Sequence, residues 1–232
     1  MDIHEYLKVA LYILGGTGYT AGLIAGAMGL GLAVGLPIAS LEVYGPRWLA
    51  RILRLYVWFF RGIPILVLLF LVYFGVYSAL EKFWLAHAGT RLELSPFSAS
   101  LIALGLTSGA YQSQIFRGAI LSLPRGQFMA ATALGFSAPK AVFRIVLPQA
   151  LRVAIPSWSN EYSIVLKDSA VAYALGTLEI MARTKFMAAY TYKHIPFYIL
   201  AGFLYFALTW IGVRLLKLLE AKTRIPGLGH GF

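Results

Sequence analysis

The chain has 232 residues, 59% of them hydrophobic and only 12% charged, with a mean hydropathy of +0.75 and a net charge of +11. Soluble domains are about half apolar and about a quarter charged, so a water-facing globular domain is excluded and a polytopic membrane protein is expected. Without Cys, and with His4, His87, His194 and His230 scattered, no disulfide framework or metal site is expected.

The N-terminal MDIHEYLKV lacks the basic region of a cleaved leader, and none is expected. A helical span needs ~20 mostly apolar residues. Hydropathy then predicts an all-α membrane protein with about five spans, near 12–41, 55–80, 97–121, 150–178 and 197–219. That length leaves no separate soluble domain, so 1–232 is read as one transmembrane domain. Span one carries Gly18, Gly22, Gly26, Gly31 and Gly35. Small residues at four-residue spacing permit close helix approach, either within the chain or at a subunit interface. GLGLAVG at 29–35 lies inside this apolar span and is not a nucleotide loop. No G-x-x-x-x-G-K-[ST] motif occurs, so the chain is not expected to cradle ATP phosphates itself. No inverted repeat of the kind found in many secondary transporters is evident.

Charge then assigns sides. Place the first and third connections and the tail in the cytoplasm. That side then holds basic residues 47, 51, 54, 61, 117, 125, 140, 144, 152, 214, 217, 222 and 224, which is 13 of the 20, against Glu42 and Glu220. The other side holds seven basic and seven acidic residues. The positive-inside rule puts the N-terminus outside and the C-terminus in the cytoplasm. The positive charge is thus a topology signal, and nucleic acid is not an expected partner.

The third connection, about 122–149, is too polar and too broken to span. Within QFMAATALGFSAPKAVFRIVLP (127–148), residues 127–134 favour helix and Gly135 suits a C-cap. Ser137 and Pro139 suit the start of a second helix. A helix–Gly–helix element on the inner membrane surface is predicted. It serves as a docking surface for a partner or as a plain amphipathic linker.

Charged side chains inside spans cost ~2.5–3.5 kcal/mol each on insertion scales and are functional candidates by default. Span four holds Pro156, Ser157, Ser159, Asn160 and Glu161, then Lys167 and Asp168. Pro156 is expected to break the helix and free backbone groups for a ligand. Glu161 is the principal candidate, with a structural hydrogen bond or ion pair as its alternative. Lys167 and Asp168 point about 100° apart and are equally read as a charge pair near the outer interface. Arg61, in the RGIP turn, suits bidentate contact with a carboxylate or a positive-inside anchor. Tyr111 and Gln114 in span three are i,i+3 neighbours and so share a helix face. The aromatics Tyr56, Trp58, Phe59, Phe60, Phe203, Tyr205, Phe206 and Trp210 are read as packing and interface belt.

The 127–148 stretch resembles the EAA loop of ABC importer permeases. That pattern runs Glu-Ala-Ala, three residues, Gly, nine residues, Ile, one residue, Leu-Pro. Here Met129-Ala130-Ala131, Gly135 (followed by Phe136), Ile145 and Leu147-Pro148 keep every spacing, with Met129 in the place of the usual Glu. FRGIPILVLLFLVYFGV (60–76), GAYQSQIFRGAILSLPRGQ (109–127) and LPQALRVAIPSWSNEYSIVLKDSAV (147–171) resemble the polar amino-acid uptake branch, so that roughly 55–220 is covered. Ser159-Asn160-Glu161 is similar to a segment in membrane subunits of importers for histidine, lysine and arginine.

The resemblance implies a type I permease fold in a bacterial or archaeal plasma membrane. It also implies that the chain is no enzyme and has no cofactor of its own, ATP being bound by two cytoplasmic ABC ATPase subunits. A second permease copy or paralogue and an extracytoplasmic amino-acid-binding protein complete the implied assembly. Met129, Ala130, Ala131, Gly135, Phe136, Ile145, Leu147 and Pro148 would couple to the ATPase. Glu161 would meet positive charge on an amino acid, with Asn160, Arg61, Tyr111, Gln114, Lys167 and Asp168 as further candidates. Gln114 stands where relatives commonly have Glu. A single acid favours polar or cationic amino acids, while glutamate, glutamine and an opine stay open. An ion-coupled secondary transporter is the alternative; it leaves the helix–Gly–helix element without a purpose. An intramembrane enzyme would need an acid–base pair at membrane depth, and no His falls in a predicted span.

Overall fold

A computed structural model of the chain describes residues 2–91 and 93–224; His230 lies outside them. The described residues are helical, with no strand among them. In chain order the helices are α1 (Ile3–Leu14), α2 (Thr17–Tyr44), α3 (Arg47–Gly62), α4 (Ile65–Phe70), α5 (Ser78–Ala88), α6 (Pro96–Ser122), α7 (Arg125–Ala133), α8 (Ala138–Ala141), α9 (Leu147–Ser169), α10 (Ile180–Thr191) and α11 (His194–Thr223). A π-helical stretch, Leu71–Tyr77, joins α4 to α5; another, Val142–Val146, joins α8 to α9; a 3₁₀ turn, Ala170–Leu175, ends α9. Among the described residues, three stretches are long and apolar enough to cross a membrane: Ile3–Tyr44, Ile65–Ala88 and His194–Thr223. At 27 residues, α6 would extend about 40 Å, but Thr107, Ser108, Gln112 and Ser113 make it more polar, and these four are buried.

Two expectations need correction. The second predicted span, 55–80, is not one helix. Ile63 precedes Pro64 and is extended, at φ −106° and ψ 133°, so α3 stops and α4 restarts beyond the proline. The proline ring disfavours the α conformation for its predecessor. The apolar stretch therefore shifts to Ile65–Ala88 and takes in Glu81 and Lys82, expected in a connection. The fourth span was expected to break at Pro156, yet α9 runs unbroken from Leu147 to Ser169. A proline removes one N–H and strains one turn, and packing on α6 and α11 holds the helix through it.

The most extensive packing is α2 on α6. A Cβ on Gly35 would come within 2.8 Å of the Gly109 carbonyl oxygen, and one on Gly31 would collide with the Gln112 amide. These glycines of the span-one stripe thus serve packing within the chain, and backbones approach because no side chain intervenes. A core of Ala39, Phe116, Ile120, Val146, Leu147 and Ala150 ties α2, α6 and α9 together next to α7. At the opposite end of α2, Glu179 is fully buried and caps α10. Its carboxylate accepts from the Met181 and Ala182 N–H groups at 2.8 and 2.6 Å and from the Tyr205 hydroxyl at 2.5 Å. Burial pushes the Glu179 carboxyl above its usual range, and these hydrogen bonds pull it back. Outside the cores, Trp58, Phe203, Phe206 and Trp210 are exposed, as lipid-facing side chains would be.

Candidate functional site

Glu161 stands near mid-length of α9 and is 2% exposed. Its Oε1 accepts a hydrogen bond from the Ser108 hydroxyl, 2.8 Å away on α6. Ser108 Oγ accepts in turn from Gln112 Nε2 at 3.0 Å, and that amide also donates to the Met28 carbonyl of α2 at 3.1 Å. Gln112 Oε1 accepts from Trp158 Nε1 at 2.8 Å. The donors therefore run in one direction, Trp158 to Gln112 to Ser108, and end on the Glu161 carboxylate. In a low-dielectric interior such a chain polarises towards its acceptor and stabilises negative charge there.

Arg61 and Asp168 are both within electrostatic reach of Glu161. Arg61 ends α3, sixteen residues long and therefore about 24 Å from end to end. That length separates Arg61 from Arg47 at the other end of the helix, and Arg61 itself is exposed. Its guanidinium lies 4.8 Å from the centroid of the Tyr111 ring, a cation–π distance. The α3–α6 contact that sets this level is the Tyr56 hydroxyl donating to the Leu106 carbonyl at 2.6 Å. Arg61 and Asp168 thus share an electrostatic environment with Glu161, and Tyr111 stands against Arg61. An exposed guanidinium within electrostatic reach of a buried carboxylate offers complementary charges to a zwitterion. Asn160 and Lys167 are exposed on α9, on other sides of the helix from Glu161. Lys167 acts electrostatically on its neighbour Asp168.

Gln114 does not share this cluster. It donates to Glu42 Oε2 at 3.0 Å, and Arg117 Nε stands 3.6 Å from the same oxygen. The Glu42 side chain is 3% exposed, and its Oε1 has no hydrogen-bond partner. Tyr111 and Gln114 therefore part company although they are three residues apart: one faces Arg61, the other the end of α2. Sequence reading missed Ser108, Gln112, Trp158 and Glu42 as members of these clusters. The available signal was Ser108 and Gln112 at i,i+4 in an otherwise small-residue helix.

The 122–149 region forms a second candidate surface. α7 ends in a Schellman motif: Gly135 has φ +82°, Phe136 N–H donates to the Ala131 carbonyl at 3.1 Å, and Gly135 N–H donates to the Thr132 carbonyl at 3.0 Å. Ser137 is the N-cap of α8, with Pro139 in its first turn. Phe128 stacks on Tyr44 with centroids 5.1 Å apart, and Gln149 donates to Gln127 at 2.6 Å, fastening α7 to α2 and α9. A groove of about 350 Å³ lies between, lined by Tyr44, Leu123, Phe128, Met129 and Gln149 among others. Of the residues expected to couple, Met129, Ala130, Gly135 and Pro148 are exposed, and Phe136 and Ile145 are half-buried. Ala131 and Leu147 are buried within the chain, so they seat the element on the bundle and are closed to a partner. Leu134, 80% exposed, adds an apolar side chain that sequence reading did not single out.

Residues 27–225 match the family described as binding-protein-dependent transport system inner membrane component. The octopine transport system permease protein OccQ of Agrobacterium tumefaciens is 34% identical over 216 residues, covering 93% of this chain and 87% of that protein. The histidine/lysine/arginine/ornithine transport system permease protein HisQ of Escherichia coli is 31% identical over 210 residues, covering 90% and 92%. Among solved structures, a chain of an amino acid ABC transporter crystallised with histidines superposes with a TM-score of 0.78 at 28% identity, covering 96% of this chain and 99% of that one.

Proposed function

Because this chain belongs to the family of binding-protein-dependent transport system inner membrane components, we propose that it is the permease subunit of an ATP-driven importer of a polar amino acid, with a cationic side chain favoured. In this reading the chain is one transmembrane domain of five spans, built on α2, the Ile65–Ala88 stretch, α6, α9 and α11, with the N-terminus outside and the C-terminus in the cytoplasm. Two ATPase subunits, a second permease and an extracytoplasmic binding protein complete it, in a bacterial inner membrane. The chain forms the path and leaves ATP hydrolysis to its partners.

The observation that carries the reading is the buried Glu161 carboxylate, held by Ser108, with Arg61 within electrostatic reach. Glu161 would receive an α-ammonium or a cationic side chain, and Arg61 the α-carboxylate, by a bidentate contact. Tyr111 and Asp168 would add secondary contacts, while Asn160 and Lys167, on other sides of α9, would meet the substrate only elsewhere along the path. Gln114 would act at the Glu42 end of the same path. The histidine-bound transporter structure and the HisQ likeness support a cationic amino acid; the OccQ likeness keeps an opine in view.

The α7–Gly135–α8 element supports the coupling half of the reading. It is rigidly capped, fastened to α2 and α9, and presents Met129, Ala130 and Leu134 outward. An ATPase groove would take it by shape and apolar contact, since Met129 supplies no charge. The Val142–Val146 stretch runs straight from this element into α9, so a push on α7 would reach the helix that carries Glu161.

The test begins with a gentle detergent pull-down of the tagged chain from its native membranes. Co-elution of an ATPase with a phosphate-binding loop, and ATP-dependent uptake of amino acids by the reconstituted eluate, is the expected result. Uptake by the chain alone, without ATP, would overturn it and make Glu161 and Lys167 ion-coupling groups.

A further inference from the structure

Where α2, α9 and α11 meet, an apolar seam runs down the outside of the bundle. Its mid-bundle part is a cleft of about 290 Å³ lined by Ala25, Trp158 and Leu215, among others. Trp158 also lines a second cleft, of about 190 Å³, which continues to Leu219 and ends at Thr223 and Arg152. Between Leu208 and Thr223 the seam follows α11 for roughly 22 Å. One leaflet of a ~30 Å hydrocarbon core is ~15 Å deep, so the seam is long enough for one acyl chain.

The end of the seam is basic. Arg152 is exposed and makes no ion pair among the described residues. Lys217, Lys222 and Arg224 lie at the same end of α11, against a single acid, Glu220. A long apolar cleft with a cationic mouth matches an anionic phospholipid, whose tail is apolar and whose phosphate needs a donor. A second copy of this chain fits worse. A two-fold interface sets the same patch against itself, so it would bring two basic seam ends, each holding Arg152, into one interface. We propose that the seam between α2, α9 and α11 is a binding site for one anionic phospholipid, with an acyl chain along Ala25, Trp158, Leu215 and Leu219 and the phosphate on Arg152. The site requires only that the chain be embedded in a bilayer and does not depend on which substrate it carries.

The test is native mass spectrometry of the purified chain in its detergent-extracted assembly, titrated with phosphatidylglycerol or phosphatidylcholine of identical acyl chains. Phosphatidylglycerol is expected to be retained in preference by about fivefold, the effect of ~1 kcal/mol for one basic residue at an anionic headgroup. Arg152→Gln should abolish that preference. Ala25→Phe, which fills the cleft, should remove the bound lipid whatever its headgroup. Arg54→Gln, on α3 and away from the seam, should change nothing. Leu219→Gln reads the same cleft should Ala25→Phe fail to assemble. Equal retention of both lipids, an equal loss in Arg54→Gln, or undiminished lipid in Leu219→Gln would each overturn the site. So would loss of the oligomer with lipid still bound, which would assign the seam to a second copy.

Discussion

The middle of the bundle and the α7–α8 element are opposites. Around Glu161 the surroundings are apolar and the side chains that matter are polar, and each is wired to another part of the chain. Around α7 the composition is more polar, yet Met129 and Leu134 point outward with nothing on them. Buried polar groups without partners cost ~1–3 kcal/mol each, so the first region must be satisfied before any ligand arrives. Exposed apolar side chains carry no such penalty in isolation and gain only when covered. One region is therefore satisfied from within, and the other leaves apolar side chains uncovered.

The sharpest way to break that contrast is Glu161→Gln. It keeps an acceptor for Ser108 and removes the charge. Uptake of a cationic amino acid by the reconstituted importer should fall about ten- to a hundredfold, the ~1.5–3 kcal/mol of a hydrogen bond to a charged group. The assembly should elute unchanged in size-exclusion chromatography. Loss of the assembly would make Glu161 a structural residue.

Gly31→Val attacks the same region through packing alone. Its new side chain would strike the Gln112 amide and the Ser108 hydroxyl. Overpacking costs ~1–3 kcal/mol, so thermal unfolding in detergent should come several degrees earlier. Gly18→Ala, on the same helix but facing open space, is the control and should be neutral or slightly stabilising, by up to ~1 kcal/mol. Equal effects at the two positions would deny the α2–α6 contact.

Gly135→Val tests the other region. A β-branched residue at φ +82° is strained by ~1–3 kcal/mol. The Schellman turn should open while the bundle stays intact. ATP hydrolysis by the assembled importer should then proceed with several-fold less uptake per ATP. An unchanged ratio would show that the turn is not the lever.

Met129→Ser should do least to the fold, within ~0.5 kcal/mol, because Met129 is exposed. Its effect should appear only in the complex, as weaker retention of the ATPase in the pull-down. A fall in the stability of the isolated chain would mean that α7 leans on Met129, contrary to its exposure.

Local patterns were legible in advance. Gly135 reads as a cap because few residues tolerate positive φ, and Ser137 with Pro139 reads as a helix start for equally local reasons. Glu161 was legible through its cost in an apolar span. The Ile63–Pro64 break was also written locally, but the run of apolar residues on both sides concealed it. Pro156 misled in the opposite direction, because the energy of a continuous packed helix exceeded the loss of one hydrogen bond.

The sequence by itself determined that this chain lives in a membrane, that it carries a capped surface element between apolar helices, and that one acid in span four is expensive enough to need a reason. Only the tertiary structure decided which groups meet that acid. Ser108 is 53 residues from Glu161, Gln112 46 from Trp158, and Gln114 72 from Glu42. Hydrophobic periodicity is set by one helix at a time, whereas these pairs depend on how α2 and α6 close over their glycines and on how far α3 reaches before Pro64 stops it. Arg61 came within electrostatic reach of Glu161, and Gln114 met Glu42 instead, because helix length and crossing place side chains at a common depth, a property that no single stretch of residues encodes.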